Sequence, residues 1–240
     1  MTVHARRYDE KSYWEQRFEK ESQFEWLGDY QVFRSILERY MQPTDKVLHL
    51  GCGTSRLGFD LLAHGFRQVA NVDYCQSVVD RMTGRCRTFC DQLGLRWEPT
   101  LPTSEAPTNH PENDVQIHWL TADCMTMTSD PTLTALAPFD IVIDKTLTDT
   151  ICCGDESEPD LGLRALAGQV GRMLKPGGRW IIISYSDDRP LETLPKQPGD
   201  CHWKVTRHRV LAPKEVTDRP MFTPDVYYHC HIAQKLASSE

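Results

Sequence analysis

Residues 47–58, Val47-Leu48-His49-Leu50-Gly51-Cys52-Gly53-Thr54-Ser55-Arg56-Leu57-Gly58, carry a short apolar stretch straight into a glycine-rich turn. This is the form of a strand followed by a loop that holds a nucleotide, and three kinds of loop begin this way. A dinucleotide fingerprint needs G-x-G-x-x-G, its third glycine closing the helix against the strand. Here Arg56 takes that third place. A phosphate-cradling P-loop has the spacing of Gly53 to Gly58 but needs Lys and a hydroxyl next, where Phe59-Asp60 stand. What remains is G-x-G with a bulkier continuation, a loop that packs against a nucleoside without gripping pyrophosphate. Glycines also serve ordinary tight turns, so residues further along have to decide.

Two acids do so. Asn71-Val72-Asp73-Tyr74 places a carboxylate about 20 residues beyond the glycines, where it can accept hydrogen bonds from ribose hydroxyls. Trp119-Leu120-Thr121-Ala122-Asp123-Cys124 ends another apolar run in a second acid, suited to an adenine amino group. Residues 95–98 (LRWE) compete for the same strand position, but no Asp stands four places after Trp97, so residues 117–120 (IHWL) are expected to fill it.

Strand-length apolar runs fall at residues 46–50, 68–72, 116–120, 139–143 and 179–184, most rich in Val and Ile, as buried parallel strands are. Helical stretches alternate with them at 55–64, 77–93 and 161–174, and Pro176-Gly177-Gly178 reads as a helix stop and turn. Residues 203–210 and 226–234 read as two strands in succession, an antiparallel hairpin at one edge. The expected fold is therefore α/β: a doubly wound, mostly parallel, seven-stranded sheet with a C-terminal hairpin and N-terminal helices. One domain is expected over residues 1–240, with 1–43 a helical cap and the proline-rich stretch 99–113 a flexible insertion.

The 240 residues are 40% hydrophobic and 25% charged, enough for one well-packed domain. No window approaches the roughly 18 consecutive apolar residues of a membrane span, and the start has no apolar signal core. The acids Asp9, Glu10 and Glu15 argue against a mitochondrial presequence, so a soluble cytoplasmic protein is expected. A net charge of −7 fits nucleic acid poorly and suits a basic protein partner. Nine cysteines form no C-x-x-C pair, and His229-Cys230-His231 has no third ligand spaced nearby, so no metal is expected.

Glycine loop, ribose acid, adenine-side acid and a Pro-Gly-Gly turn before the fifth strand make up, in order, a pattern that resembles class I S-adenosylmethionine-dependent methyltransferases. Further segments narrow the resemblance. Tyr13-Trp14-Glu15-Gln16-Arg17-Phe18 and Phe24-Glu25-Trp26-Leu27-Gly28-Asp29-Tyr30 are similar to the N-terminal segment of the branch that includes the lysine methyltransferases of elongation factor 1-alpha and citrate synthase. So are Asn71-Val72-Asp73-Tyr74-Cys75 and Asp144-Lys145-Thr146-Leu147-Thr148-Asp149. The resemblance implies S-adenosylmethionine as cofactor, leaving as S-adenosylhomocysteine. It implies that Trp14, Phe18 and Trp26 line the cofactor pocket, with Gly51 and Gly53 under the cofactor. Asp73 would hold the ribose with Tyr74 beside it, Asp123 and Cys124 the adenine, and Lys145 would lie near the cofactor. The sequence departs from the branch at Phe18, which lacks the phenol hydroxyl common there, at Thr146, which replaces a glycine, and in the proline-rich insertion.

A protein lysine is the acceptor this branch implies, on a basic substrate such as an elongation factor. Tyr30, beside Trp26, is expected to wall an acceptor channel, with Asp144 exposed there to orient the amine. Asp149 is a second candidate for that task or else a helix cap. A small-molecule N-, O- or S-methyltransferase and a non-catalytic methyltransferase-like binding module are the alternatives; the intact glycine loop, Asp73 and Asp123 weigh against the second.

Overall fold

The computed structural model describes residue 8 and residues 10–97, 114–153, 159–194, 201–214 and 224–236; the insertion expected at 99–113 lies outside them. The chain opens with two helices, α1 (Lys11–Lys20) and α2 (Tyr30–Tyr40). They are separated by a turn in which Leu27 and Gly28 both have positive φ, 62° and 112°. The Asp29 side chain starts α2 by accepting from the Gln31 and Val32 amides at 3.0 and 3.4 Å. Tyr30, Phe33 and Leu37 recur at helical spacing and are buried. Each such apolar side chain contributes about 1.5–3 kcal/mol of burial.

Strand–helix alternation follows: β1 (Lys46–Leu50), α3 (Leu57–Ala63), β2 (Gln68–Asp73), α4 (Gln76–Gln92), β3 (Arg96–Trp97) and β4 (Asp114–Thr121). Next come α5 (Pro131–Leu136), β5 (Phe139–Lys145), α6 (Leu147–Ile151), α7 (Pro159–Met173), β6 (Leu174–Ser184), β7 (Trp203–Leu211) and β8 (Tyr227–Lys235). The eight strands lie in the order β3-β4-β2-β1-β5-β6-β8-β7. The pairs from β3 to β6 are parallel, while β8 is antiparallel to both β6 and β7. The expected doubly wound architecture with its hairpin is thus present. The additional strand is β3, the two-residue remnant of the rejected competitor, and β4 takes the place beside β2.

Because side chains alternate across a strand, the central strands build two cores. Val47, Ile141 and Ile143 pack with α2, α3 and α4 on one face. Leu48, Leu50, Val142 and Ile182 pack with α5 and α7 on the other. Pro176-Gly177-Gly178 is not the helix stop expected of it: α7 ends at Met173 and the trio lies within β6. There the register jumps from Phe139↔Leu174 to Ile141↔Arg179, and Gly177, with φ of 76°, supplies the left-handed residue that the jump requires.

After β1 the chain moves outward through β2 to β4 and β3, then returns to place β5 on the other side of β1. Such a reversal opens a crevice at the carboxyl ends of the strands, the place where α/β sheets bind ligands.

Candidate active site

A cavity of about 370 Å³ lies at that crevice. Its floor is the turn after β1, where Gly51 and Gly53 adopt φ of 56° and 48°. A Cβ on Gly51 would come within 3.1 Å of Leu147, and at both places the left-handed backbone itself favours glycine. Asp73, at the end of β2, is 3% exposed. Its carboxylate accepts from the Gly53 and Cys75 amides, each at 2.9 Å, and so fastens the glycine turn to the start of α4. Burial pushes its carboxyl group up, and the two amides partly offset this.

Beyond Asp73 the wall continues through Tyr74, Asp123 and Cys124. Asp123 accepts from the Met125 amide at 2.8 Å, which fixes the turn after β4. Burial raises the Tyr74 phenol and the Cys124 thiol well above their ordinary ranges, so both stay protonated. His49 also lines the cavity; burial depresses it to about 4, leaving a neutral imidazole whose Nδ1 pairs with Asn71 Oδ1 at 3.1 Å.

The N-terminal segment forms the opposite wall. Trp14, Phe18, Phe24 and Trp26 face the cavity, and the Trp14 and Trp26 ring centroids are 6.3 Å apart in a T-shaped pair. Arg17 lies among these rings, its guanidinium carbon 4.8 Å from the Trp26 centroid and 5.0 Å from that of Phe24. The segment is fastened to the body at several points. Arg81 donates to the Phe18 carbonyl at 2.8 Å and to the Glu21 carbonyl, and Arg85 donates to Ser22 at 3.0 Å. The Phe24 amide donates to Thr54 Oγ1 at 3.1 Å.

Every residue expected beside the cofactor, from Trp14 to Lys145, lines this one cavity. The two residues expected to serve the acceptor do not. Tyr30 is 2% exposed and lies 4.2 Å, centroid to centroid, from His64, because the helical period that buries Phe33 and Leu37 buries Tyr30 with them. Asp144 is fully buried and accepts from the Leu147 and Thr148 amides, so it holds the start of α6 and is not exposed at a wall. Asp149 neither caps a helix nor faces the cavity; it pairs with Arg189 and accepts from Ser184 Oγ and the Tyr185 amide. Glu25 went unassigned in the sequence, yet it contacts Lys145, Ser55 Oγ and the Arg56 amide. Only its place inside the F-E-W-L-G-D segment could have signalled it.

The donor set fits an adenosine. It offers a buried carboxylate at the end of β2, an acid at the end of β4, a backbone turn without side chains beneath, and aromatic faces above. A doubly wound sheet of this order with such a cleft defines a class I S-adenosylmethionine-dependent methyltransferase, and the chain belongs to that family. It is 31% identical over 230 residues to methyltransferase srdJ of Neurospora crassa, covering 94% of this chain and 83% of that one. It is 29% identical over 186 residues to EEF1A lysine methyltransferase 4 of Bos taurus, covering 74% of this chain and 61% of that protein. With the eEF1A lysine and N-terminal methyltransferase of Homo sapiens it shares 27% identity over 227 residues, which is 28% of that longer protein. The N-methyltransferase NodS of Bradyrhizobium japonicum, solved with S-adenosyl-L-homocysteine, has the same fold at a TM-score of 0.52 and 14% identity, covering 92% of this chain and 98% of that one. No family model matches the chain. Among the described residues, no helix is long and apolar enough to cross a membrane and no group of His, Cys, Asp and Glu could hold a metal ion.

Proposed function

We propose that the protein moves a methyl group from S-adenosylmethionine to a lysine amine of a basic protein substrate, of the elongation-factor kind named for its relatives. Bound in the cavity, the cofactor supplies the electrophilic methyl. Asp73 accepts from the ribose hydroxyls through lone pairs that the Gly53 and Cys75 amides leave open. Asp123 and Cys124 hold the adenine edge, Tyr74 flanks it, and Gly51 and Gly53 let the backbone approach from below.

The observation that carries the acceptor reading is the aromatic wall. Trp14, Phe24 and Trp26 already gather one organic cation, Arg17, which supports the reading that this wall accommodates a charged side chain. An incoming lysine must lose its proton, at a cost of about 4–5 kcal/mol at pH 7 from a pKa near 10.4. Loss of water in an apolar approach lowers that cost by disfavouring the charged form, while the ring faces hold the ammonium until its proton leaves. With Tyr30 and Asp144 displaced into the core, no general base is assigned. The Glu21 carboxylate at the wall is engaged by Arg17 and Thr54. Positioning and exclusion of water then supply most of the rate.

The cavity is near the lower end of the roughly 300–1,000 Å³ typical of small-ligand sites, which leaves an enclosed second ligand little space once a cofactor is bound. This favours an acceptor presented from outside on a folded partner. A translation factor as substrate would place the protein in the cytoplasm. The test is to incubate the protein with tritiated S-adenosylmethionine and a cell lysate. Label is expected in a protein band, at lysine after hydrolysis; label confined to the small-molecule fraction overturns the lysine reading and leaves the family assignment standing.

A further inference from the structure

The resemblance that places Lys145 beside the cofactor does not explain what its ammonium touches. Lys145, the last residue of β5, is 4% exposed at its side chain. Its Nζ donates to Glu25 Oε2 at 2.7 Å, to the Trp26 carbonyl at 3.0 Å and to the Gly28 carbonyl at 3.3 Å. Three protons meet three acceptors, and all three acceptors belong to the N-terminal segment. The carbonyls of residues 26 and 28 can converge on one point because Leu27 between them is left-handed, at φ of 62°. On the other side of the contact Thr146, directly after Lys145, is left-handed too, at 71°. Both are side-chain-bearing residues in a region that favours glycine, and together they bracket one buried cation. Non-glycine residues persist there only where the surroundings over-determine them.

Glu25 extends the contact. The same carboxylate that takes Lys145 accepts from Ser55 Oγ at 2.8 Å and from the Arg56 amide. One ion pair therefore joins three separate parts of the cavity. These are the segment bearing Phe24 and Trp26, the turn bearing Gly51 and Gly53, and the end of β5 that leads into Thr146 and Leu147. Of the three, only the end of β5 is held by strand pairing, Lys145 lying opposite Ile183 of β6.

We propose that Glu25 and Lys145 are positioning residues of the methyltransferase site: their ion pair sets the N-terminal segment over the cofactor, and cofactor exchange requires that pair to part. Burial lowers Lys145 from its ordinary value while Glu25 opposes the shift, as expected of a cation held by its partner. The arrangement also calls for lysine in particular. A compact ammonium can aim three donors at acceptors clustered around one point, whereas a planar guanidinium cannot. The inference rests on the cofactor occupying this cavity, not on the identity of the acceptor.

The test uses the whole protein with S-adenosylhomocysteine as probe, reading affinity by calorimetry and dissociation by stopped flow. Glu25→Gln and Lys145→Met each leave one partner without its counter-charge. Either is expected to release the probe about tenfold faster, with the double variant Glu25→Gln/Lys145→Met no faster than the worse single, the mark of two residues acting as a unit. Lys145→Arg should fail to restore the native rate. If one single variant does not fold, the double variant, which buries no unpaired charge, is compared with the other. Native dissociation rates in the folded variants, or effects that multiply in the double, overturn the proposal. Asp73→Ala serves as the control. Native affinity there would refute the ribose assignment that orients the cofactor in this cavity and would take this inference with it, whereas weakened binding in Asp73→Ala with native rates in the pair variants refutes the pair alone.

Discussion

Replacing Asp73 by alanine separates the bracing that its carboxylate performs in the structure from the ribose contact proposed for it. The folded protein loses the acceptor for two backbone amides, Gly53 and Cys75, both at 2.9 Å. An orphaned buried donor costs about 1–3 kcal/mol. The Gly53 amide borders the cavity, so water can replace the carboxylate there, whereas Cys75 is buried. The total is then about 2 kcal/mol, which in a chain of this size lowers Tm by about 4–8 °C. The cofactor loses hydrogen bonds to a charged acceptor, about 1.5–3 kcal/mol, which weakens binding by about tenfold to about 150-fold. Titration calorimetry with S-adenosylhomocysteine reads the second effect and a thermal melt the first. Asp73→Asn keeps the shape and one acceptor oxygen, so it should fall between alanine and the native residue in both. A variant that melts lower but binds with native affinity would refute the ribose assignment and reduce Asp73 to a brace for the glycine turn.

Two further outcomes follow from groups beside the cavity. Burial first, and the neighbouring Asp149 second, push Asp144 from 3.8 up to about 7. The folded state then holds this proton more tightly than the unfolded state, so the group's contribution is most favourable below about pH 4 and declines as pH rises through about 7. Asp144→Asn should flatten that part of a Tm–pH curve, and parallel curves for the two proteins would disprove the shift. Thr146→Gly removes a β-branched side chain from left-handed backbone, worth about 1 kcal/mol or more, and should raise Tm by about 2–4 °C; a lower Tm would show that the side chain's own contacts outweigh the strain.

The fold was legible where local pattern and tertiary need coincide. Val- and Ile-rich runs marked the long strands because strands buried on both faces are dominated by apolar, β-branched residues even where His49 or Asn71 interrupts them. The Pro-Gly-Gly stretch misled because those residues mark any sharp backbone change, and a jump in strand register uses them as readily as a helix end does. The cavity-lining residues at the ends of β1 and β2 were legible because a glycine turn and an acid about 20 residues later follow consecutive strands. Tyr30 was misread although its signal was present: with Phe33 and Leu37 it completes a buried helical stripe. The Glu25–Lys145 contact had no such signal. It joins residues 120 positions apart, and a glutamate in a turn reads as a solvated charge until the fold brings its partner near.

The strand order carries a consequence for how the molecule comes into being. Among the described residues, β7 is hydrogen-bonded to no strand except β8, which follows it in the chain, while β8 lies between β7 and the rest of the sheet. A ribosome therefore delivers β7 before the strand that will hold it, and its nine residues, among them Lys204, Arg207 and Arg209, wait as an unpaired segment. A premature stop between Leu211 and Tyr227 would cost the sheet two strands instead of one, leaving β6 as an open edge of the kind that pairs with other chains.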